Sequence, residues 1–160
     1  MTRTDIKSTI VNNDDAVVTE IDIAAPPARV FQALTDRAQA LQWGSDEAFK
    51  TTIWEMDARV GGKWRSVSRE VKATDPNKDY DHHGEILEFD PPRVLSYTWF
   101  ANWHAIPTHQ TQVRWELTPT KIGTHLKITH SGLTQLPTAC QAYSQGWPGL
   151  LQALKNFLDK

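Results

Sequence analysis

From Thr52 to His130 apolar and polar residues alternate in short runs, and that period of two predicts strands. The plainest run sets Thr111, Val113, Trp115 and Leu117 against Gln112, Arg114 and Glu116. In another, Trp64, Ser66 and Ser68 oppose Lys63, Arg65 and Arg69. The charged side is the wet one, so Trp64 points inward. Leu95, Tyr97 and Trp99 share one face, as do Leu126, Ile128 and His130. Strands are expected over 17–23, 52–56, 63–71, 81–89, 94–100, 111–117 and about 125–130. Gly61-Gly62, the cluster from Asp75 to Asp79, Asp90-Pro91-Pro92-Arg93 and the segment 119–123 read as turns between them.

The period changes in two places. Pro26-Pro27 suits a first helical turn, and Val30, Phe31 and Leu34 supply one apolar face. Thr35-Asp36 then caps a second short helix, about 38–43, and 44–51 reads as loop. Near the end, 138–145 looks like a short helix that Gly146 interrupts, with Pro148 opening a new one. Trp147, Leu150, Leu151, Leu154, Phe157 and Leu158 recur at three- and four-residue steps and form one wide apolar stripe. Residues 1–13 are polar and read as a flexible arm, leaving 14–160 as a single domain. The order is strand, two short helices, about six strands, long helix. It predicts an α+β fold in which a curved antiparallel sheet wraps the C-terminal helix. A helix gripped by a bent sheet leaves space between the layers, where a pocket is expected.

Seven tryptophans in 160 residues sharpen that expectation. Trp64, Trp99, Trp115 and Trp147 fall on inward positions, together with the polar Ser66, Thr111 and His130 and the apolar Val113, Ile128 and Leu151. Rings alone could fill a dry core. Hydroxyls and a histidine among them favour a cavity whose guest or water would satisfy them. These ten residues are the candidate ligand-binding set.

Charge excludes some classes. The formal net charge is −2 and the cations are scattered, which argues against a nucleic-acid partner. The N-terminal stretch has no apolar signal core and no run spans a membrane, so the expectation is a cytoplasmic protein without membrane insertion. The single Cys140 allows no internal disulfide and reads as a small buried residue. There is no Gly-rich phosphate loop, no His-Glu-x-x-His and no nucleophile elbow, so neither cofactor nor metal is expected.

His130 is the candidate general base. The competing reading is a structural histidine satisfied by a backbone carbonyl at a strand end. His82 and His83 beside Asp79 and Asp81 read as two exposed histidines rather than a metal site, because a third ligand is missing. Glu85 and Glu88 have opposite parity, so without a bulge only one could be a buried acid. Trp103, His104 and His109 lie on or beside a long loop and read as a lid or as rim packing.

The ordered set of motifs resembles a family. The residues are Ala25-Pro26-Pro27 through Asp36, Gln42-Trp43-Gly44, Gly61-Gly62-Lys63-Trp64-Arg65, Gly84 through Pro92, Val94 through Trp99, Leu126 through Gly132, and Gly146-Trp147-Pro148 through Leu158. From about Val17 onward the chain resembles the bacterial homologues of the Hsp90 ATPase activator, within the START/Bet v 1-like superfamily. The resemblance implies the helix-grip fold. That superfamily includes carriers, cyclases, hydrolases and binding proteins, so fold alone does not choose among them.

Three readings follow. The first is a protein that encloses a hydrophobic or aromatic small molecule between sheet and terminal helix. Burying roughly 200 Å² of apolar ligand at ~25 cal/mol/Å² yields about 5 kcal/mol before association costs, so tight binding needs polar help. The second is a cyclase, hydrolase or isomerase using His130. The third is a stimulator of a chaperone ATPase by protein contact, with a homodimer also open.

Overall fold

The computed structural model describes residues 6–45, 49–72 and 79–159. Its order is β1 (Lys7–Val11), β2 (Ala16–Ile23), α1 (Pro27–Thr35), α2 (Arg37–Trp43), β3 (Phe49–Met56), β4 (Lys63–Glu70), β5 (Tyr80–Asp90), β6 (Val94–Ala101), β7 (Thr111–Pro119), β8 (Thr124–Ser131) and α3 (Pro137–Leu158). The strands form one antiparallel sheet in the order β1-β2-β8-β7-β6-β5-β4-β3. α3 lies along β1 and β2 and meets α2, so helices cover one face of the sheet.

The expected elements between 17 and 130 form where the patterns place them. Pro27 begins α1, and the Asp36 carboxylate accepts from the Gln39 N–H at 3.1 Å to start α2. The loop reading of 44–51 is corrected at its end, since β3 already begins at Phe49, while 46–48 lie outside the described residues. Most of the turn cluster at 75–79 also lies outside them.

Two further expectations need correction. Residues 1–13 are not simply an arm: Lys7–Val11 pairs with β2 through a turn in which Asn12, Asn13 and Asp14 all have φ between 54° and 65°. Asn and Asp tolerate that left-handed region better than other side chains, so the Asn-Asn-Asp-Asp run is a hairpin signal. Ile6 and Ile10 then reach the core as partly buried residues.

Nor does Gly146 break the terminal helix. α3 runs unbroken from Pro137 to Leu158 with Pro148 inside it. A proline there has no N–H for the carbonyl four residues back. That carbonyl belongs to Ser144, and the Ser8 hydroxyl of β1 donates to it at 2.9 Å. The edge strand thus supplies the bond that the helix lacks.

The glutamates at 85 and 88 are corrected too. A register shift between Ile86 and Glu88 turns both outward, where Glu85 pairs with Lys63 and Glu88 with Arg114. Neither is a buried acid.

Candidate functional site

Alternation on β4 to β8 turns Trp64, Tyr97, Trp99, Thr111, Val113, Trp115, Ile128 and His130 to the helix-covered face. α3 meets them with Tyr143, Trp147 and Leu151 at four-residue steps. Trp99 is the hub. Its ring lies 4.9 Å from Trp64, 4.8 Å from His82, 5.4 Å from His130 and 5.5 Å from Trp147. His130 lies 4.2 Å from Tyr143, and Trp115 lies 5.9 Å from Trp147.

The polar atoms of this cluster mostly satisfy one another. The indole N–H of Trp99 donates to the Tyr143 hydroxyl at 2.9 Å, that of Trp115 to the Tyr97 hydroxyl at 2.8 Å, and that of Trp103 to His82 Nε2 at 2.9 Å. Trp64 donates to the Thr98 carbonyl at 2.9 Å. Gly84 leaves room for that approach, because a Cβ there would stand 1.9 Å from the same oxygen.

His130 is fully buried and both ring nitrogens are engaged. Trp147 donates to Nδ1 at 3.3 Å, which fixes the proton on Nε2. Nε2–H then donates to the Thr111 hydroxyl at 2.8 Å, and that hydroxyl donates to the Trp99 carbonyl at 2.8 Å. Burial holds the imidazole well below its ordinary value, with His104 and His82 adding to the effect. Both His130 nitrogens therefore meet side chains, Thr111 and Trp147, rather than a strand-end carbonyl.

His82 joins the cluster from β5 and His104 from the loop after β6. His82 lies on the inner side of β5 while His83 stays exposed and stacks on Phe100 at 5.4 Å. The reading of two exposed histidines is therefore wrong for His82, which alternation in β5 turns toward Trp99. Asp81 and Asp79 pair with Arg65 and Arg69. Among the described residues no group of three or more side chains has metal-ligating geometry. His82 is lowered to about 4 by burial first, then by His104. His104 is 3% exposed and is also lowered to about 4, by burial and then by His109. Its Nε2 meets the Tyr143 hydroxyl at 2.7 Å, and its Nδ1 has no partner among the described residues. His109 Nε2 meets the Gly132 carbonyl at 2.9 Å and ties the loop to the end of β8.

The expected open hollow between sheet and α3 is occupied by these rings. Flat side chains from both layers interdigitate, and most of their donors find acceptors inside the cluster. Two concavities stand out among the described residues, and both lie toward the outer face. One, of about 460 Å³, is lined by residues including Asp81, His83, Phe100 and Thr108. The other, of about 340 Å³, lies by Glu55, Lys63 and Arg65.

Nine of the ten candidate residues are buried in this interior; Ser66, on β4, is only half-buried. Tyr97, Tyr143 and His82 are the members that sequence reasoning missed. Tyr143 was legible as the residue four positions before Trp147 on the same stripe. Cys140 is buried, and burial raises its thiol.

The family model for Activator of Hsp90 ATPase homolog 1-like protein matches residues 24–159. No curated protein matches. A crystal structure of a Chromobacterium violaceum protein is similar at 24% identity with a TM-score of 0.80, covering 91% of this chain and 98% of that one. A Mesorhizobium loti protein is similar at 28% identity with a TM-score of 0.70, covering 90% and 96%. The solution structure of an AHSA1-like protein from Aeromonas hydrophila is similar at 20% identity with a TM-score of 0.72, covering 90% and 92%.

Proposed function

The chain belongs to the family of Activator of Hsp90 ATPase homolog 1-like proteins, and on that premise we propose that it binds a flat hydrophobic or aromatic small molecule between sheet and terminal helix. The observation that carries the reading is the polar content of the ring cluster. Three histidines and two tyrosines are held neutral there, with His82, His104 and His130 lowered and Tyr97 and Tyr143 raised by burial. A core that only had to be solid would not need them, since paired buried polar groups contribute little net stability.

The cluster reaches solvent at half-buried Trp103 and His82. Trp103 packs 5.2 Å from Tyr143, and the loop grips α3 there through that contact and the His104–Tyr143 bond. A guest enters by parting this seam and replaces ring contacts with its own. Ring pairs are worth about 1 kcal/mol each, so the exchange is nearly balanced and apolar contact alone binds weakly.

Catalysis by His130 has less to stand on, because a general base needs a free nitrogen and both of its nitrogens are engaged. Stimulation of a chaperone ATPase would be read directly in an assay with the organism's own Hsp90-like chaperone. Among the described residues no helix is long and apolar enough to cross a membrane.

The test is titration with two- and three-ring aromatic compounds, followed on the indole N–H resonances. Saturable shifts are expected for Trp99, Trp103 and Trp147. Trp43, whose indole donates to the Ala33 carbonyl at 2.8 Å, serves as the unmoved control. Resonances that stay fixed up to millimolar compound would sink the reading.

A further inference from the structure

The donor protons of the ring cluster can be followed one by one to their acceptors. Those of Trp64, Trp99, Trp103, Trp115, Trp147, His130 and Thr111 all arrive. His82 also bonds the backbone of Ser66. Two remain. Tyr97 accepts from Trp115, and its own O–H has no acceptor among the described residues. The second surplus proton belongs to the Tyr143–His104 pair. If Tyr143 O–H donates to His104 Nε2, the imidazole proton sits on Nδ1, which has no partner. The opposite tautomer leaves two groups unpaired instead, the tyrosine proton and Nδ1, so the first is preferred. A buried donor without an acceptor is costly, and here two of them lie in one aromatic cluster, with Trp99 stacked beside Tyr97 and touching Tyr143.

The cluster therefore has protons to give and no acceptor left for them. The charge of the missing acceptor is also constrained. Among the described residues no lysine or arginine is buried in this core, and His82, His104 and His130 favour the neutral form. A carboxylate would enter without a counter-charge.

We propose that the guest is a flat apolar molecule carrying a neutral oxygen acceptor, of the aryl ketone, quinone or ester kind, whose oxygen takes the Nδ1–H of His104. This rests on the small-molecule reading above and narrows it to a chemical class. It also makes His104 the residue that discriminates between guests of the same shape.

The experiment compares two probes of nearly equal shape, 2-acetylnaphthalene and 2-isopropenylnaphthalene, by titration of the full chain followed by NMR. The ketone is expected to bind at least tenfold tighter. His104 Nδ1–H is expected to move downfield with the ketone and not with the alkene. In His104→Phe, which keeps a ring in place, the preference should fall below threefold. Should that variant fail to fold, the Nδ1–H resonance of the unmodified protein still decides the matter. Equal affinity for both probes, or an Nδ1 that carries no proton, overturns the acceptor proposal and leaves hydrophobic binding standing. Binding of neither probe at millimolar concentration overturns both.

Discussion

The interior has two ends of different chemistry. Near α1 it is aliphatic: Ile21, Leu126 and Leu117 lie side by side across β2, β8 and β7, with Ile23, Val30, Leu34 and, further along α3, Leu154. Arg29 of α1 lies over the Phe157 ring 5.6 Å away, which places the last turn of α3 at this end. Its buried polar atoms close on main-chain carbonyls, Trp43 on Ala33 and Thr124 on Ala25. The other end, from Trp64 to the loop, is aromatic; Trp64 and Thr111 still donate to main-chain carbonyls, but most of its polar atoms close on one another's side chains. Methyl and methylene groups carry their stabilisation without geometric demands, whereas indoles and imidazoles must each find a partner. The aliphatic end explains why the chain folds. The ring end is where a second molecule could alter the balance.

The comparison breaks first if the aliphatic end does not carry the stability. Leu154 is fully buried, and Leu154→Ala should cost about 2–5 kcal/mol in urea unfolding while leaving the indole resonances of Trp99 and Trp103 in place. A loss under 1 kcal/mol would contradict the division.

The ring end should respond to acid instead. His82 and His104 fall from 6.5 to about 4 on folding, so the folded state prefers them neutral. Their stabilisation is present above pH 6.5 and is lost as pH falls from there toward 4, by roughly 3 kcal/mol per histidine at most. His125 has the opposite sign. Glu20, then Asp22, raise it, so its contribution is present below 6.5 and lost as pH rises, and exposure on the outer face keeps it small. Urea midpoints measured from pH 7 to 4.5 should fall, and less steeply in His104→Phe. A flat profile would mean that the imidazoles are not dry.

The smallest effect belongs to the tie between β1 and α3. Ser8→Ala removes the donor to the Ser144 carbonyl and should cost about 1 kcal/mol. Amide exchange should quicken around 145–151, since Gly146, Pro148 and Gly149 lower helix propensity there. Unchanged exchange would show that ring packing alone holds the helix across its proline.

Periodicity was enough to place the inner faces of β4 and β6 to β8, because alternation forces Trp64, Trp99, Thr111, Val113, Trp115, Ile128 and His130 to one side whatever their neighbours. It could not reveal that Ser8 would complete a helix 136 residues away, nor that His82 would leave its exposed neighbour for the ring cluster. Those outcomes depend on which strand lies beside which. The bulge near Glu88 is another, since it comes from a register shift between paired strands rather than from the glutamates.

Sequence by itself determined the order of elements, the buried face of each and the abundance of rings, all of which follow from short-range pattern. Tertiary structure alone decided that the rings interlock instead of lining a void, and that His130 is held at both nitrogens. Among the described residues it also left two protons of the ring cluster, on His104 and Tyr97, without an acceptor. Hydrogen bonds between side chains act over about 3 Å and in fixed directions, so only the packed arrangement of strand, loop and helix can say which donor meets which oxygen.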